Sequence, residues 1–226
     1  MTETRRRWGE LTGGAIIEGY SLTEAQMAAI VQPIRGRQAE GEIGLPLPDV
    51  DVMLVDPERG ITPASDAEGE LIIGAPQLMI GYYDQPAETA DALRTHPDGS
   101  RWLYTGDLAV MDAEGYLRLV GRKKDLIKVS GFQVWPTEVE QVLSTYPGVR
   151  EVGVAALPDP KKGEIAAAWV VRDEGARVTA DDLKTFCREH LAPYKVPGEI
   201  RFVSALPKSA VGKVLRRALP SLASQA

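Results

Sequence analysis

Between residues 41 and 120, turn-forming pairs cut the chain into short apolar runs, and this punctuation constrains the fold more than any other feature of the sequence. Asp-Pro, Glu-Gly, Pro-Asp-Gly and a second Glu-Gly supply the breaks, all of them residues that favour turns over continued regular structure. Val50 to Val55 alternates, GELIIG (Gly69 to Gly74) is an apolar run, and WLYTGDLAVMDAEGYLRLV reads as strand, turn, strand, turn, strand. The region is predicted to be mostly β.

After Gly121 the pattern changes. A charged segment, GRKKD, leads into LIKVSGFQVWP, and then Val139, Val142, Leu143 and Tyr146 recur at helical spacing. Pro136 falls in the first turn of that helix, where a missing N–H costs nothing, and Pro147-Gly148 closes it. Two strands follow, Glu151 to Ala156 and Ile165 to Val171, joined by a Pro/Lys/Gly loop. A helix around 180–190, the linker APYKVPGEI, a strand near Ile200 to Val203 and a basic tail complete the chain. The fold class is α+β: a β-rich part over 1–120, then a small α+β unit over 121–226 with a short sheet and flanking helices. The boundary is predicted at Gly121 to Asp125.

With a formal net charge of −6, the chain is a poor partner for nucleic acid. A local basic stretch, Arg122, Lys123, Lys124 and Lys128, suits either a solvated face or an anionic small molecule. The single cysteine, Cys187, excludes an intrachain disulfide and fits a reducing compartment. It shares a helical face with Leu183, Phe186 and Leu191, so a buried small hydrophobe is predicted. His96 and His190 stand far apart, and neither belongs to a metal cage or a nucleophile–base pair. No run approaches the roughly 18 apolar residues of a membrane span, and MTETRRRW lacks the apolar core of a signal peptide. The expected location is the cytoplasm.

Several short motifs occur in fixed order: GYSLTEA (Gly19 to Ala25), Tyr104-Thr-Gly-Asp-Leu108, GRKKDLIKVSGFQV (Gly121 to Val134), PTEVE (Pro136 to Glu140), PYKVP (Pro193 to Pro197) and PKSAVGKVLRR (Pro207 to Arg217). AVGK is similar to the end of a phosphate-binding P-loop, but Pro207 holds the glycine position and Val214 follows the lysine, so that reading fails. As an ordered set, the motifs resemble the carboxyl-terminal part of the adenylate-forming enzymes: acyl-CoA synthetases, luciferases and the adenylation domains of peptide synthetases. The resemblance runs from about Trp8 to Arg217.

The resemblance implies a division of labour. Residues 1–120 would be the β-rich end of a large adenylate-forming domain and 121–226 a small mobile domain. Such enzymes attack the α-phosphate of ATP with a carboxylate, form an acyl-adenylate, and pass the acyl group to a thiol. By resemblance, Tyr20 stacks on adenine, Thr23 donates to the α-phosphate and Glu24 helps hold Mg²⁺. Asp107 accepts from both ribose hydroxyls, and Arg122 offers a planar fork near ribose and phosphate. Lys213 reaches the α-phosphate and the substrate carboxylate, with Gly212 letting its loop bend. Lys124 matches the hinge about which the small domain rotates, bringing the strand with Gly131 towards the substrate so that the pantetheine of CoA passes close to the backbone. The implied cofactors are ATP or AMP, Mg²⁺ and CoA, and the implied partner is a fatty acid or another carboxylate.

There are two departures from the family pattern. Ser21 replaces the glycine of the family's Tyr-Gly pair, and no Ser/Thr/Gly-rich loop for the β- and γ-phosphates occurs in the chain. GEIGLPLPDVDVMLVD and GELIIGAPQLMIGYYDQP are most similar to fatty acyl-CoA synthetases. The leading reading is therefore a fatty acid–CoA ligase, present here as a portion of the enzyme. The alternative is a catalytically inert form that acts as a folded remnant or partner-binding module. The strands at 41–80 are expected to leave an apolar patch that invites homo-oligomerisation or pairing with a missing amino-terminal half.

Overall fold

The computed structural model describes residues 2–39, 41–56, 60, 62, 66–210 and 212–222, with the backbone alone for 2–4 and 6. Pro57 of the first turn pair and Val211 of the PKSAVGK motif lie outside the described residues. The chain divides into two compact units, Met1–Val120 and Gly121–Ala226.

The first unit opens with α1 (Thr2–Thr12) and continues through β1 (Gly19–Leu22), β2 (Met27–Val31), β3 (Glu42–Pro46), β4 (Asp51–Val55) and β5 (Gly69–Gly74). A short α2 (Pro86–Ala92) precedes β6 (Leu93–Thr95), β7 (Arg101–Met111) and β8 (Leu117–Arg122). The strands form one sheet in the order β1-β2-β3-β8-β7-β5-β4, with β6 on β7. β5 is buried along its first five residues, which is why it reads as an apolar run without alternation. Leu71 and Ile73 join Ile30, Leu54, Leu103, Ala109 and Leu117 in the core, and Ile72 is equally buried outside that cluster.

Neither α1 nor α2 was expected from the sequence. TETRRRWGELT and PAETADA carry no apolar stripe of helical period, so hydrophobic periodicity passes them over. Pro86 at the first position of α2, followed by alanines and a glutamate, marks the helix by propensity alone. Among the described residues, no large exposed apolar side chain falls on the strands of 41–80, where an apolar patch was expected. The large exposed apolar side chains of this unit are Trp8, Leu11, Met27, Ile34, Ile80 and Tyr83, all outside β3, β4 and β5.

The second unit contains β9 (Ile127–Val129), β10 (Phe132–Val134), α3 (Pro136–Ser144), β11 (Val149–Asp159), β12 (Gly163–Arg172), α4 (Ala180–His190) and β13 (Glu199–Phe202). Its sheet runs β10-β9-β12-β11, with β13 parallel on β12. All of Ala166 to Val171 in β12 is buried. Because side chains alternate, Ala166, Ala168 and Val170 pack with Val139, Leu143, Leu183 and Cys187 of the helices. Ala167, Trp169 and Val171 pack on the opposite face with Val203, Leu206 and Leu219. A sheet covered on both faces buries more than its length suggests, at about 1.5–3 kcal/mol for each large apolar side chain. Burial pushes the Cys187 thiol up to about 11, as an inert core position requires.

Candidate functional site

The GYSLTEA segment is the end of a hairpin. β1 and β2 pair from Gly19 with Val31 to Leu22 with Met27, and a 3₁₀ turn over Thr23–Ala25 closes the loop. Gln26 then takes a left-handed conformation at φ +53 and donates its N–H to the Thr23 carbonyl at 3.1 Å. Thr23 and Ser21 are exposed at this end, Glu24 is half-buried, and Tyr20 is buried in the core.

Asp107 reaches the same hairpin from 87 residues away. Its carboxylate accepts the Tyr20 hydroxyl at 2.5 Å, and Tyr20 and Asp107 are only 7% and 4% exposed. The TGD motif was expected as a turn between two strands; instead it lies inside a single strand, β7, as an irregularity in the ladder. Glu70 pairs with Leu108 and Ile72 with Tyr104, so Thr105, Gly106 and Asp107 together oppose Leu71. Such a bulge re-aims the side chain at its end. Gly106 supplies the left-handed step at φ +70. Thr105 donates through Oγ1 to the Leu71 carbonyl at 2.7 Å and accepts the Asp107 N–H at 3.0 Å. Glu70 accepts the Gly106 N–H at 3.1 Å.

Glu24 is held by a residue that sequence reasoning did not single out. The Tyr82 hydroxyl donates to Glu24 Oε1 at 2.7 Å, and the Glu24 carbonyl accepts the Met79 N–H at 2.8 Å. Burial, reinforced by the hydrogen bond and the charge of Glu24, pushes the Tyr82 phenol up to about 12. The available signal was GYYDQP itself, read only as a family likeness. Among the described residues no group of three His, Cys, Asp or Glu could hold a metal ion. Glu24 is thus a lone carboxylate, and such a donor fits Mg²⁺ only where phosphate and water complete the octahedron.

In the second unit, Lys213 sits at the base of a small hairpin. Lys208 bridges Val214, Ser209 N donates to the Lys213 carbonyl at 2.8 Å, and Gly212 at φ +80 donates to Ser209 at 2.9 Å. The Lys213 side chain is exposed. Arg122 ends β8 and Lys124 lies in a 3₁₀ turn over Lys123–Asp125, both exposed. Gly131 was expected in a strand, but it is the second residue of the Ser130-Gly131 turn joining β9 to β10. The two have φ of +50 and +85, the signature of a tight hairpin turn that matches strand twist. A Cβ there would meet nothing within 4 Å, so the glycine serves the turn and leaves an open approach to the backbone.

The motifs of this unit are tied together by ion pairs. Lys195 of PYKVP reaches Glu138 of PTEVE at 2.6 Å, and Arg216 of the final motif reaches Glu140 at 2.6 Å and Asp125 of GRKKD at 2.9 Å. Burial works against the Arg216 charge, but the hydrogen bonds and charges of Glu140 and Asp125 outweigh it and hold the guanidinium above its ordinary value.

Residues 1–83 match the AMP-binding enzyme family model, and residues 138–213 match that of the AMP-binding enzyme C-terminal domain. The chain is 46% identical to a long-chain-fatty-acid–CoA ligase of Salmonella typhimurium over 213 residues, covering 94% of this chain and 37% of the relative. It is 42% identical to the enzyme of that name from Bacillus subtilis, covering 96% and 38%. The crystal structure of ATP-bound MatB from Rhodopseudomonas palustris superposes with a TM-score of 0.89 at 34% identity, covering 98% of this chain and 43% of that one. The chain therefore spans about two-fifths of the length of the relatives it matches.

Proposed function

From this chain's membership of the adenylate-forming AMP-binding enzymes, whose carboxyl-terminal portion it matches, we propose that it forms the nucleotide-facing part of a fatty acid–CoA ligase. The observation that carries the reading is the meeting of Tyr20 and Asp107. The fold bends β7 out of register to deliver a buried carboxylate to the GYSLTEA hairpin, where the Tyr20 hydroxyl offsets part of the cost of burying it. An ionised carboxylate oriented by a phenol is a strong acceptor for the two hydroxyls of a ribose. Little of the Tyr20 ring is exposed, so its part is to orient Asp107 and to offer one edge or face to adenine.

Thr23 and Ser21 offer hydroxyl donors for an α-phosphate at the exposed end of the hairpin. Glu24, oriented by Tyr82, would hold Mg²⁺, which when bound neutralises phosphate charge. Lys213 supplies a mobile ammonium for the α-phosphate and the substrate carboxylate, lowering the cost of bringing two anions together. Arg122 adds a planar donor fork for ribose or phosphate. Lys124 is the swivel that exchanges Lys213 for the Gly131 turn, whose unobstructed backbone then accommodates the pantetheine of CoA. Similarity to long-chain-fatty-acid–CoA ligases supports a fatty acid as the carboxylate. The proposed setting is the cytoplasm, in keeping with the single buried Cys187. Among the described residues no helix is long and apolar enough to cross a membrane.

The test is pyrophosphate release with ATP, Mg²⁺, CoA and fatty acids of graded length, with Lys213→Ala alongside, and AMP binding by calorimetry with Asp107→Asn. Acid-dependent release lost in Lys213→Ala supports the ligase reading. AMP binding lost in Asp107→Asn supports the nucleotide site by itself. A chain that binds neither ATP nor AMP sinks the proposal.

A further inference from the structure

Arg216 is the point where three motifs of the second unit meet. Its guanidinium places Nε and Nη2 on the two oxygens of Glu140, at 3.0 and 2.6 Å, and Nη1 on Asp125 at 2.9 Å. Glu140 also accepts the Val154 N–H at 2.8 Å, which binds α3 to β11. The three side chains are only 21%, 18% and 26% exposed, so these are not loose surface pairs. Behind Arg216 the chain enters a 3₁₀ turn over Arg216–Ser221, pinned by the fully buried Leu219. Ahead of it, Leu215 N donates to the Pro207 carbonyl at 2.8 Å and closes the Lys213 hairpin. Asp125, at the other end of the network, directly follows Lys124 and ends the 3₁₀ turn over Lys123–Asp125.

We propose that Arg216 is a positioning residue that clamps Asp125 to the body of the second unit, so that the swivel ends at Lys124 and the Lys213 hairpin moves with that body. A planar fork holds Glu140 through two nitrogens and Asp125 through the third in fixed directions, a geometry that the rotatable donors of a lysine do not impose. With Asp125 fixed, a change of backbone torsion on its amino-terminal side is confined to Arg122, Lys123 and Lys124. With Arg216 fixed by Glu140 and Leu219, the lysine three residues earlier keeps a defined place on the rotating body. The inference rests on the reading of Lys124 as swivel and Lys213 as the phosphate-facing cation. The coupling itself needs neither.

Amide hydrogen exchange on the full chain tests the clamp without substrate. Asp125→Asn is expected to speed exchange over residues 122–126 by about tenfold, the loss appropriate to one charged hydrogen bond, and to leave 208–215 unchanged. Arg216→Gln is expected to speed both segments together, while β11 and β12 keep their protection. Asp125→Glu, which retains the carboxylate, is expected to restore most of the protection at 122–126. Should Arg216→Gln fail to fold, the two Asp125 variants still carry the comparison. Unchanged exchange at 122–126 in Asp125→Asn, or equal loss in Asp125→Glu, overturns the clamp. Coupled exchange in a chain that binds no nucleotide would keep the clamp and remove the ligase reading. Uncoupled exchange with acid-dependent pyrophosphate release would do the reverse.

Discussion

Asp107 would be an expensive residue to bury without a partner, and Tyr20 is the partner that the fold brings to it. Tyr20→Phe keeps the ring in the core and removes the donor. A loss of about 1–3 kcal/mol is expected, the cost of leaving a buried carboxylate short of a hydrogen bond. Urea denaturation measures the loss, and AMP affinity should fall alongside. An unchanged midpoint would mean that the hydroxyl does nothing for Asp107. Tyr82 gives a second residue-scale expectation. Its folded phenol is raised to about 12 from an ordinary 10, so the neutral form is favoured in the native state. The stability this contributes is fully present below pH 10 and disappears as pH rises from 10 to 12. Tyr82→Phe should flatten the alkaline stability slope in that window and remove one late-titrating tyrosinate from an absorbance titration. Asp107 was legible in the sequence because TGD belongs to an ordered motif set. Tyr82 was not, since its value comes from Glu24, 58 residues away.

At the scale of elements, the sequence was read well where one face is apolar and poorly where a side chain rewrites the backbone. α3 and α4 were found from their apolar faces, and Leu183 and Cys187 are fully buried as that face predicts. β7 was split in two because a Thr-Gly-Asp run has the composition of a turn, whereas Thr105 holds it in the sheet through Leu71. Thr105→Val keeps the branched shape and removes both hydrogen bonds of the hydroxyl. It should cost about 1–3 kcal/mol and weaken AMP binding more than an equally destabilising change remote from Asp107. Equal AMP affinity at matched stability would separate the bulge from the site. The amino-terminal cap of α4 offers a control without a functional reading. Thr179 accepts the Asp182 N–H at 3.2 Å while Asp182 caps Thr179 N at 3.0 Å, so Thr179→Ala should cost about 1 kcal/mol and leave nucleotide binding untouched.

At the scale of the whole molecule, the change of pattern at Gly121 and the division of the chain after Val120 have one physical origin. Hydrophobic faces that must be buried together are encoded close together in sequence. The second unit satisfies its needs internally: β12 feeds one core with even-numbered residues and another with odd-numbered ones, and α3, α4 and the 3₁₀ turn at Arg216–Ser221 cover both. What the sequence could not disclose is which carboxylate meets which cation. Arg216, Glu140 and Asp125 are neutral choices by periodicity and acquire meaning only when 91 residues of separation are closed. A unit that closes its own cores and ion pairs should fold alone. Residues 121–226 expressed without the first unit are expected to give dispersed amide resonances and a cooperative unfolding transition. Leu143→Ala, in a fully buried site of α3, should lower that stability by about 2–5 kcal/mol. In the full chain the same substitution should destabilise the second unit and leave hydrogen-exchange protection in β5 and β7 intact. If protection in β5 and β7 fell with it, the two units would be folding as one, and the swivel at Lys124 would lose the independent body it requires.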